Sequence, residues 1–419
     1  MTSQLQQRLQ TLAVLFIGSL FPGTLLTFTI LLLFSNNVPI LRFFYIRELC
    51  LLYLFWMIII DRRIAFRGGR PIPFIKELPI WNYVRDYFPA ELHIVPELER
   101  AKAHSIETAK VVDEPLNHES ANQKPKIEPL TNTSESTRED NTDNPIELSK
   151  STDHELVKPL SHPSSDETAN MVTGAFDPRY PHIFACHPHG IISISSIINL
   201  VLDTNQASSR IGIPYRFLTV SANFILPLWR DLVLACGFIS ASPSSAAWCL
   251  RKGISIFIVV GGALEALDAR PGSNDLTLAR RKGFVRLSLQ YGARLVPVYH
   301  FGENELYDQY HNPPGSFLRK IQIMLIRWIG FTLPLFKGRG IFNYRYGFLP
   351  HRVPLHTVIG KPIIMPKIIN PSSEIIDYYH NLYIEALKQL HNEYSGIYTP
   401  TIIDGQKCSI QPQPLRIVG

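Results

Sequence analysis

The sequence predicts an α/β fold, a mostly parallel sheet flanked by helices, preceded by an N-terminal membrane hairpin or span. Two observations predict the sheet. Short apolar runs at 182–186, 217–220, 254–260, 294–299 and 355–359 read as strands, and helix-period stretches fall between them. Strands that alternate with helices can return parallel through crossovers, which is how parallel sheets are built. A third observation predicts the anchor: residues 12–34 form a 23-residue run without a charge. About 20 apolar residues suffice to cross a bilayer core.

Taken in order, residues 1–70 read as the membrane anchor, with apolar runs at 12–34 and about 43–60. The second run contains Arg47 and Glu48, which would have to lie at the interface or snorkel, and Pro22 and Gly23 interrupt the first. A tight two-helix hairpin and one span followed by an interfacial helix both fit. A cleavable signal peptide fits less well, because the region before the run is barely basic and the run is long. Arg62, Arg63, Arg67 and Arg70 follow, and the positive-inside rule places them, and the body of the protein, in the cytosol. Residues 71–95 form an aromatic interfacial segment with Trp81, Tyr87, Phe88 and Pro89, expected either to line a lipid-facing groove or to pack as an interfacial belt.

Residues 96–174 carry 16 acidic and 8 basic side chains and no Phe, Tyr or Trp. Such a polar linker cannot bury enough apolar surface to fold alone and is expected to be disordered. The folded domain is expected at 175–400, followed by a tail at 401–419. Its predicted helices are 191–202, 223–236, 276–290 and 374–394, the last placing Ile375, Tyr379, Leu382, Ala386 and Leu390 on one core-facing stripe. Residues 317–336 are apolar but carry Arg319, Lys320 and Arg327, which suits an interfacial amphipathic segment or a buried core helix.

Outside the linker the chain holds 33 Lys and Arg against 19 Asp and Glu, a net of +14 where the whole chain carries +6. The basic balance suits an anionic membrane face or a phosphate-rich ligand, and no nucleic-acid module is recognisable. Five cysteines, an odd number without C-x-x-C pairs, fit a reducing compartment rather than a zinc ribbon or a disulfide scaffold. Cys186 reads as a small buried residue at a strand end.

In open α/β sheets ligands bind beyond the carboxyl ends of the strands, and three polar turns fall there. His187-Pro188-His189-Gly190 follows the first core strand; Gly261-Gly262-Ala263-Leu264-Glu265 follows the third; Phe301-Gly302-Glu303-Asn304-Glu305 follows the fourth. Histidine takes and returns a proton near neutral pH, so the first turn offers a base. An extended chain would put His187 and His189 on one side, whereas a turn at Pro188 and Gly190 could aim them apart. Both are candidates, with His189 preferred.

Tyr87-Phe88-Pro89, His187-Pro188-His189-Gly190, Gly261-Gly262-Ala263-x-Glu265, Arg281-Lys282-Gly283-Phe284 and Leu295-Val296-Pro297-Val298 running into Phe301-Gly302-Glu303-Asn304 resemble the type-2 diacylglycerol acyltransferases, in that family's order. Arg8-Leu9-Gln10-Thr11-Leu12-Ala13-Val14 near the start and Leu415-Arg416-Ile417-Val418-Gly419 at the end resemble its fungal members. The resemblance implies a glycerolipid-acyltransferase-like fold, with 175–400 as the acyltransferase domain. It implies transfer of a fatty acyl group from acyl-CoA to the free hydroxyl of 1,2-diacylglycerol, at the endoplasmic reticulum membrane and facing the cytosol, with the lipid droplet surface as a second location. Acyl-CoA is a co-substrate and no cofactor or metal is expected. Expected partners are diacylglycerol and membrane lipid, with a homo-oligomer allowed and no nucleic acid.

The chemistry agrees with that implication. An alcohol is a poor nucleophile, so a histidine must take its proton as the oxygen attacks the thioester. Wider glycerolipid acyltransferases pair that histidine with an aspartate five positions later, where this chain has Ile192. Glu265 is the leading candidate to orient the base or to bind the hydroxyl, with Glu303 and Glu305 behind it. Asn304 shares their turn. Gly190, Gly261 and Gly262 would bring main chain close to substrate, and Tyr87, Phe88 and Pro89 would contact lipid. Arg280, Arg281 and Lys282 suit coenzyme A phosphates, or else form a solvated helix face.

Rival readings are an acceptor of monoacylglycerol or long-chain alcohol, a zinc hydrolase on His187, His189 and Glu265, and a noncatalytic lipid-organising membrane protein. No third histidine stands at a recognisable spacing for zinc, and no G-x-S-x-G elbow supports a serine esterase.

Overall fold

The apolar runs form strands because β-branched and aromatic side chains pack on both faces of a central sheet. Among the described residues the strands in chain order are β1 (Ala90–Ile94), β2 (His182–His187), β3 (Tyr215–Thr219), β4 (Phe238–Ser240), β5 (Ser255–Val259), β6 (Asp275–Thr277), β7 (Arg294–Phe301), β8 (Asp308–Gln309), β9 (Phe336–Lys337), β10 (Leu355–Ile359), β11 (Ile402–Ile403), β12 (Gln406–Lys407) and β13 (Arg416–Val418). This computed structural model describes residues 4–97, 175–332, 334–341, 346–407 and 412–419. The linker expected at 96–174 therefore lies, from residue 98 on, outside the described residues.

Seven strands make the main sheet in the order β1-β10-β7-β2-β5-β3-β4. The five from β7 to β4 are mutually parallel. Strand β10 runs antiparallel to β7, and β1 runs parallel to β10. The sheet is thus mostly parallel, as the sequence predicts, with a reversed two-stranded edge. Along β2, Ile183 and Ala185 join one core cluster while Phe184 and Cys186 join another. Burial on both faces is why these strands read as continuous apolar runs. Phe184 and Phe257 stack across β2 and β5 at 4.2 Å, each fully buried. Burial of one such side chain contributes on the order of 1.5–3 kcal/mol.

Several boundaries differ from the expectation for local reasons. The helix expected at 223–236 becomes a single turn, Ser221–Phe224, and a helix at Trp229–Ala235. Pro227 lies between them, lacks an amide hydrogen and disfavours helical geometry at the residue before it. The helix expected at 276–290 starts only at Gly283, because Asp275–Thr277 pairs as β6 with the C-terminal strand Arg416–Val418. Leu276 and Leu278, two apart and both buried, carry that strand's period. The expected tail thus docks its last residues. The helix expected at 191–202 is Ile194–Ser196 followed by a π-helical turn, Ile197–Val201.

The long helix Ser373–Tyr398 buries Ile376, His380, Tyr383, Leu387, Leu390, His391 and Tyr394. Of the stripe expected there, Leu390 is inside and Leu382 is exposed. Tyrosines and histidines that look like surface residues in sequence are what this helix buries. Helix Phe317–Ile329 behaves in the opposite sense: Arg319 and Gln322 are buried while Phe317 and Trp328 are each about 80% exposed. Arg319 pairs with Asp268 at 2.5 Å and donates to the Leu267 carbonyl. Its apolar face therefore points outward, which fits the interfacial alternative and excludes the core helix.

Helix Gln4–Phe34 passes through Pro22 without a break, and an 18-residue window of it has mean hydropathy 2.0 with only 6% buried. By length and composition it can cross a membrane. The chain turns at Ser35–Asn37 and Pro39–Phe43, returns as Ile46–Phe55, and packs Tyr53 on Phe28 with ring centroids 5.8 Å apart. The arrangement is a helical hairpin. Its exit is fixed by ion pairs of Arg70 with Asp61 (3.1 Å) and Asp231 (2.6 Å), and of buried Arg230 with Asp61 (2.9 Å). Arg70 is thus engaged with the body of the protein.

The stretch 71–95 is not an exposed aromatic belt. Trp81, Tyr87 and Phe88 are buried, and Ala90–Ile94 is the edge strand β1. Tyr87 donates to the Pro350 carbonyl (2.7 Å), and the Arg352 guanidinium lies 4.0 Å from its ring centroid. Arg352 also donates to Gln10 (2.6 Å) and to the Gln7 carbonyl (2.9 Å), which docks the start of the N-terminal helix on the domain.

Candidate active site

Strands β7, β2 and β5 are neighbours and parallel, so the three polar turns that follow them meet at one sheet edge. The contacts are specific. The His189 amide donates to Glu265 Oε1 (2.6 Å) and the Thr277 amide to Glu265 Oε2 (2.7 Å). The Ile194 and Ser195 amides donate to the two oxygens of Glu303, at 3.0 and 2.7 Å. Glu305 accepts from the Gly272 amide (3.2 Å), and Asn304 donates to the Ser273 carbonyl (2.7 Å). The glutamates hold main chain and touch neither imidazole.

Two glycines of the turns exist to admit these carboxylates. A Cβ on Gly190, whose φ is +57°, would overlap the Glu303 side chain, and one on Gly261 would overlap the carboxyl of Glu265. The close approach expected of a substrate at these positions is made by protein side chains. Gly262, at φ +62°, has open space around it.

His187 and His189 face different surroundings. The ring of His187 is fully buried, and the Tyr383 hydroxyl donates to the Ala185 carbonyl (3.1 Å) while accepting from His187 Nε2 (2.9 Å). Burial drives His187 down to about 3, so it stays neutral. Its Nδ1 is buried without a partner among the described residues. His189 is only partly buried, and its Nδ1 lies 3.0 Å from the Gly190 carbonyl. A carbonyl only accepts, so Nδ1 carries the proton and Nε2 keeps its lone pair. Burial lowers the pKa of His189 as well, which favours its neutral form.

Burial pushes Glu265 and Glu303 each up to about 7, against the amides that favour the ionised form. The ionised carboxylate accepts from both amides at once, and protonation turns one acceptor oxygen into a donor facing an N–H. Activity is therefore expected to need the ionised carboxylates, whereas the folding stability these raised carboxyls contribute is present below about pH 4.5 and lost as pH rises through about 7. The acid limb of kcat/KM is expected near pH 7 and steeper than one ionisation, falling as pH drops. In Glu265→Gln the limb should shallow to a single ionisation, with the plateau about tenfold lower, the scale of one charge-assisted hydrogen bond. A pH–rate profile with unit slope and a limb below 6.5 in the parent protein would refute the coupling.

Beside the turn lies a cavity of about 800 Å³, between the N-terminal helix and the domain. Val14, Ile17, Phe88, Ile192, Ile194, Ile198, Phe336 and Leu349 line it. Ligand pockets run roughly 300–1,000 Å³, and this one is apolar enough for aliphatic chains. Ile192 and Ile194 follow the histidine turn directly, so one wall of the cavity is the chain that leaves that turn.

The diacylglycerol acyltransferase family matches residues 169–402. The chain belongs to the diacylglycerol acyltransferase family. Diacylglycerol O-acyltransferase 2 of Dictyostelium discoideum is 34% identical over 94% of this chain and 93% of its own. Diacylglycerol O-acyltransferase 2A of Umbelopsis ramanniana is 34% identical over 94% of this chain and 88% of its own. The 2-acylglycerol O-acyltransferase 1 of Homo sapiens is 31% identical over 94% of each chain. No solved structure matches. The protein is an acyltransferase, as the sequence motifs imply.

In this acyltransferase Arg281 reaches the Gly261 carbonyl (3.4 Å) beside Glu265, Arg280 is exposed, and Lys282 pairs with Asp377 (2.6 Å). Of the aromatic motif, Phe88 lines the cavity and Tyr87 is a buried strut; Pro89 leads into β1. Among the described residues His187, His189 and Glu265 do not bring ligand atoms together as a metal set. Sequence reasoning missed His300, which bridges Ser196 (2.8 Å) and Thr357 (2.9 Å) under the turn, and Tyr383. His300 is a single polar residue inside the apolar run 295–301, and Tyr383 lies on a helix whose mixed polar pattern does not mark which tyrosine turns inward.

Proposed function

We propose that this chain transfers a fatty acyl group from acyl-CoA to the free hydroxyl of 1,2-diacylglycerol, forming triacylglycerol. The observation that carries the reading is His189, with Nδ1 tied to the Gly190 carbonyl, Nε2 free, and a large apolar cavity walled by the next residues. Diacylglycerol lays its chains in the cavity and presents its hydroxyl to Nε2. The base takes the proton as the oxygen attacks the thioester carbonyl; the carbon–sulfur bond then breaks, and the coenzyme A thiolate takes the proton back from His189. The amides of His189, Ile194 and Ser195 serve the glutamates, which leaves the main chain of Gly190 to Ile192 for the developing oxyanion. Glu265 and Glu303 position the turn, and His187 braces it through Tyr383. Arg280 and Arg281 stand where coenzyme A phosphates would be met.

A histidine turn at the carboxyl end of a central parallel strand supports a glycerolipid-acyltransferase-like fold. The exposed N-terminal helix and the outward apolar face of Phe317–Ile329 support membrane seating; the endoplasmic reticulum, a cytosolic body and droplet surfaces belong to this proposal through the family resemblance and the basic residues that follow the anchor. The 2-acylglycerol relative favours monoacylglycerol as a second acceptor. Membranes containing the protein, given labelled acyl-CoA with diacylglycerol, monoacylglycerol or hexadecanol in separate reactions, decide the acceptor. Labelled triacylglycerol is expected from the first; product from monoacylglycerol or the alcohol alone would overturn the assignment.

A further inference from the structure

At the reversed edge of the sheet, away from the histidine turn in both sequence and strand order, three side chains meet without a role in acyl transfer. Glu91 and His93 lie two apart on β1 and share a face, and Glu91 is paired in register with His356 of β10. His93 Nε2 lies 3.3 Å from His356 Nδ1, and Glu91 Oε2 lies 3.4 Å from each of those nitrogens. These separations are long for hydrogen bonds, which favour about 2.7–3.0 Å. They match another geometry. Zinc bonds of about 2.0–2.2 Å at tetrahedral angles put neighbouring ligand atoms about 3.3–3.5 Å apart, and all three pairs here meet that spacing.

The surroundings agree. Tyr398, from the end of the C-terminal helix, stacks on both imidazoles with centroids at 4.3 and 4.7 Å. Its hydroxyl stands 3.3 Å from His93 Nδ1, the nitrogen turned away from the cluster. The Glu91 side chain is 60% exposed, so solvent reaches a fourth position.

We propose that Glu91, His93 and His356 form a binding site for one divalent ion of the zinc class, tetrahedral, with water as the fourth ligand. The ion clamps β1, which precedes the linker, to β10, which lies more than 250 residues further along the chain. It takes no part in acyl transfer, because none of its ligands belongs to the turns around His189. An ion bound only by the folded state stabilises that state.

The test uses the full chain in detergent micelles, stripped with a chelator and titrated with zinc chloride against a chromophoric chelator. One equivalent is expected to bind, and cobalt chloride should give the intense visible bands of four-coordinate cobalt. His93→Ala combined with His356→Ala should weaken zinc binding at least 100-fold, while His187→Asn leaves it unchanged. Glu91→Gln changes one exposed side chain, so it should keep fold and acyl transfer while weakening zinc at least tenfold. No zinc binding by the parent protein, an equivalent retained in the double variant, an equivalent lost in His187→Asn, or unaltered affinity in Glu91→Gln would each overturn the proposal.

Discussion

Replacing His189 with alanine is expected to cut acyl transfer by 10²- to 10⁴-fold, the usual contribution of a positioned general base. The loss should fall on kcat, with KM for acyl-CoA little changed, because the ring meets the acceptor hydroxyl rather than the coenzyme. Glutamine at the same position fills a similar volume and cannot accept a proton, so it should be as inactive as alanine. Membrane association and thermal unfolding should stay close to the parent in both, since the ring's one hydrogen bond runs to its neighbour's carbonyl. His187→Ala differs in kind: it empties a fully buried site and removes the donor to the Tyr383 hydroxyl, which keeps its own bond to the Ala185 carbonyl, so its activity loss should come with a lower unfolding temperature. Turnover in membranes, read beside unfolding temperature, separates the two. Full activity in His189→Ala would remove the base from the reaction.

That division of labour between two adjacent histidines is where sequence stops and packing begins. Residue type and spacing marked both imidazoles and all three turns, because a strand's carboxyl end is a general place for ligands. They could not say that Glu265 and Glu303 would spend their oxygens on backbone amides, since a carboxylate's partners depend on which main-chain groups the fold leaves unpaired. Strands buried on both faces, such as β2 and β5, were legible as apolar runs. Strand β1 is no continuous apolar run: Ala90, Leu92 and Ile94 alternate with Glu91 and His93, the period-two pattern of a strand with one face toward solvent, within a stretch otherwise read for its aromatics. The core stripe of the C-terminal helix was displaced because His380, Tyr383 and His391 lie inside it. The anchor's composition left a hairpin and a single span equally open, and only the Phe28–Tyr53 contact and the Asp61 ion pairs distinguish them.

Ile192→Asp restores, in sequence, the aspartate that wider glycerolipid acyltransferases place five residues after the first histidine, and it is expected to lower activity by about 100-fold. Ile192 lines the apolar cavity with its side chain 46% exposed there, while the ring of His187 is sealed against Tyr383. An aspartate would therefore enter the cavity rather than meet an imidazole. A charge left without a partner in an apolar site costs several kcal/mol, and aliphatic chains displaced from that wall lose their burial as well. Counted from His189 the same spacing reaches Ile194, whose amide donates to Glu303, so the carboxylate that serves this part of the turn already arrives from the end of β7. The predicted signature is a higher KM for diacylglycerol, an unchanged KM for acyl-CoA, and activity within about threefold of the parent for Ile192→Val, which keeps the wall apolar. Activity raised by the aspartate would mean that it reaches a catalytic imidazole.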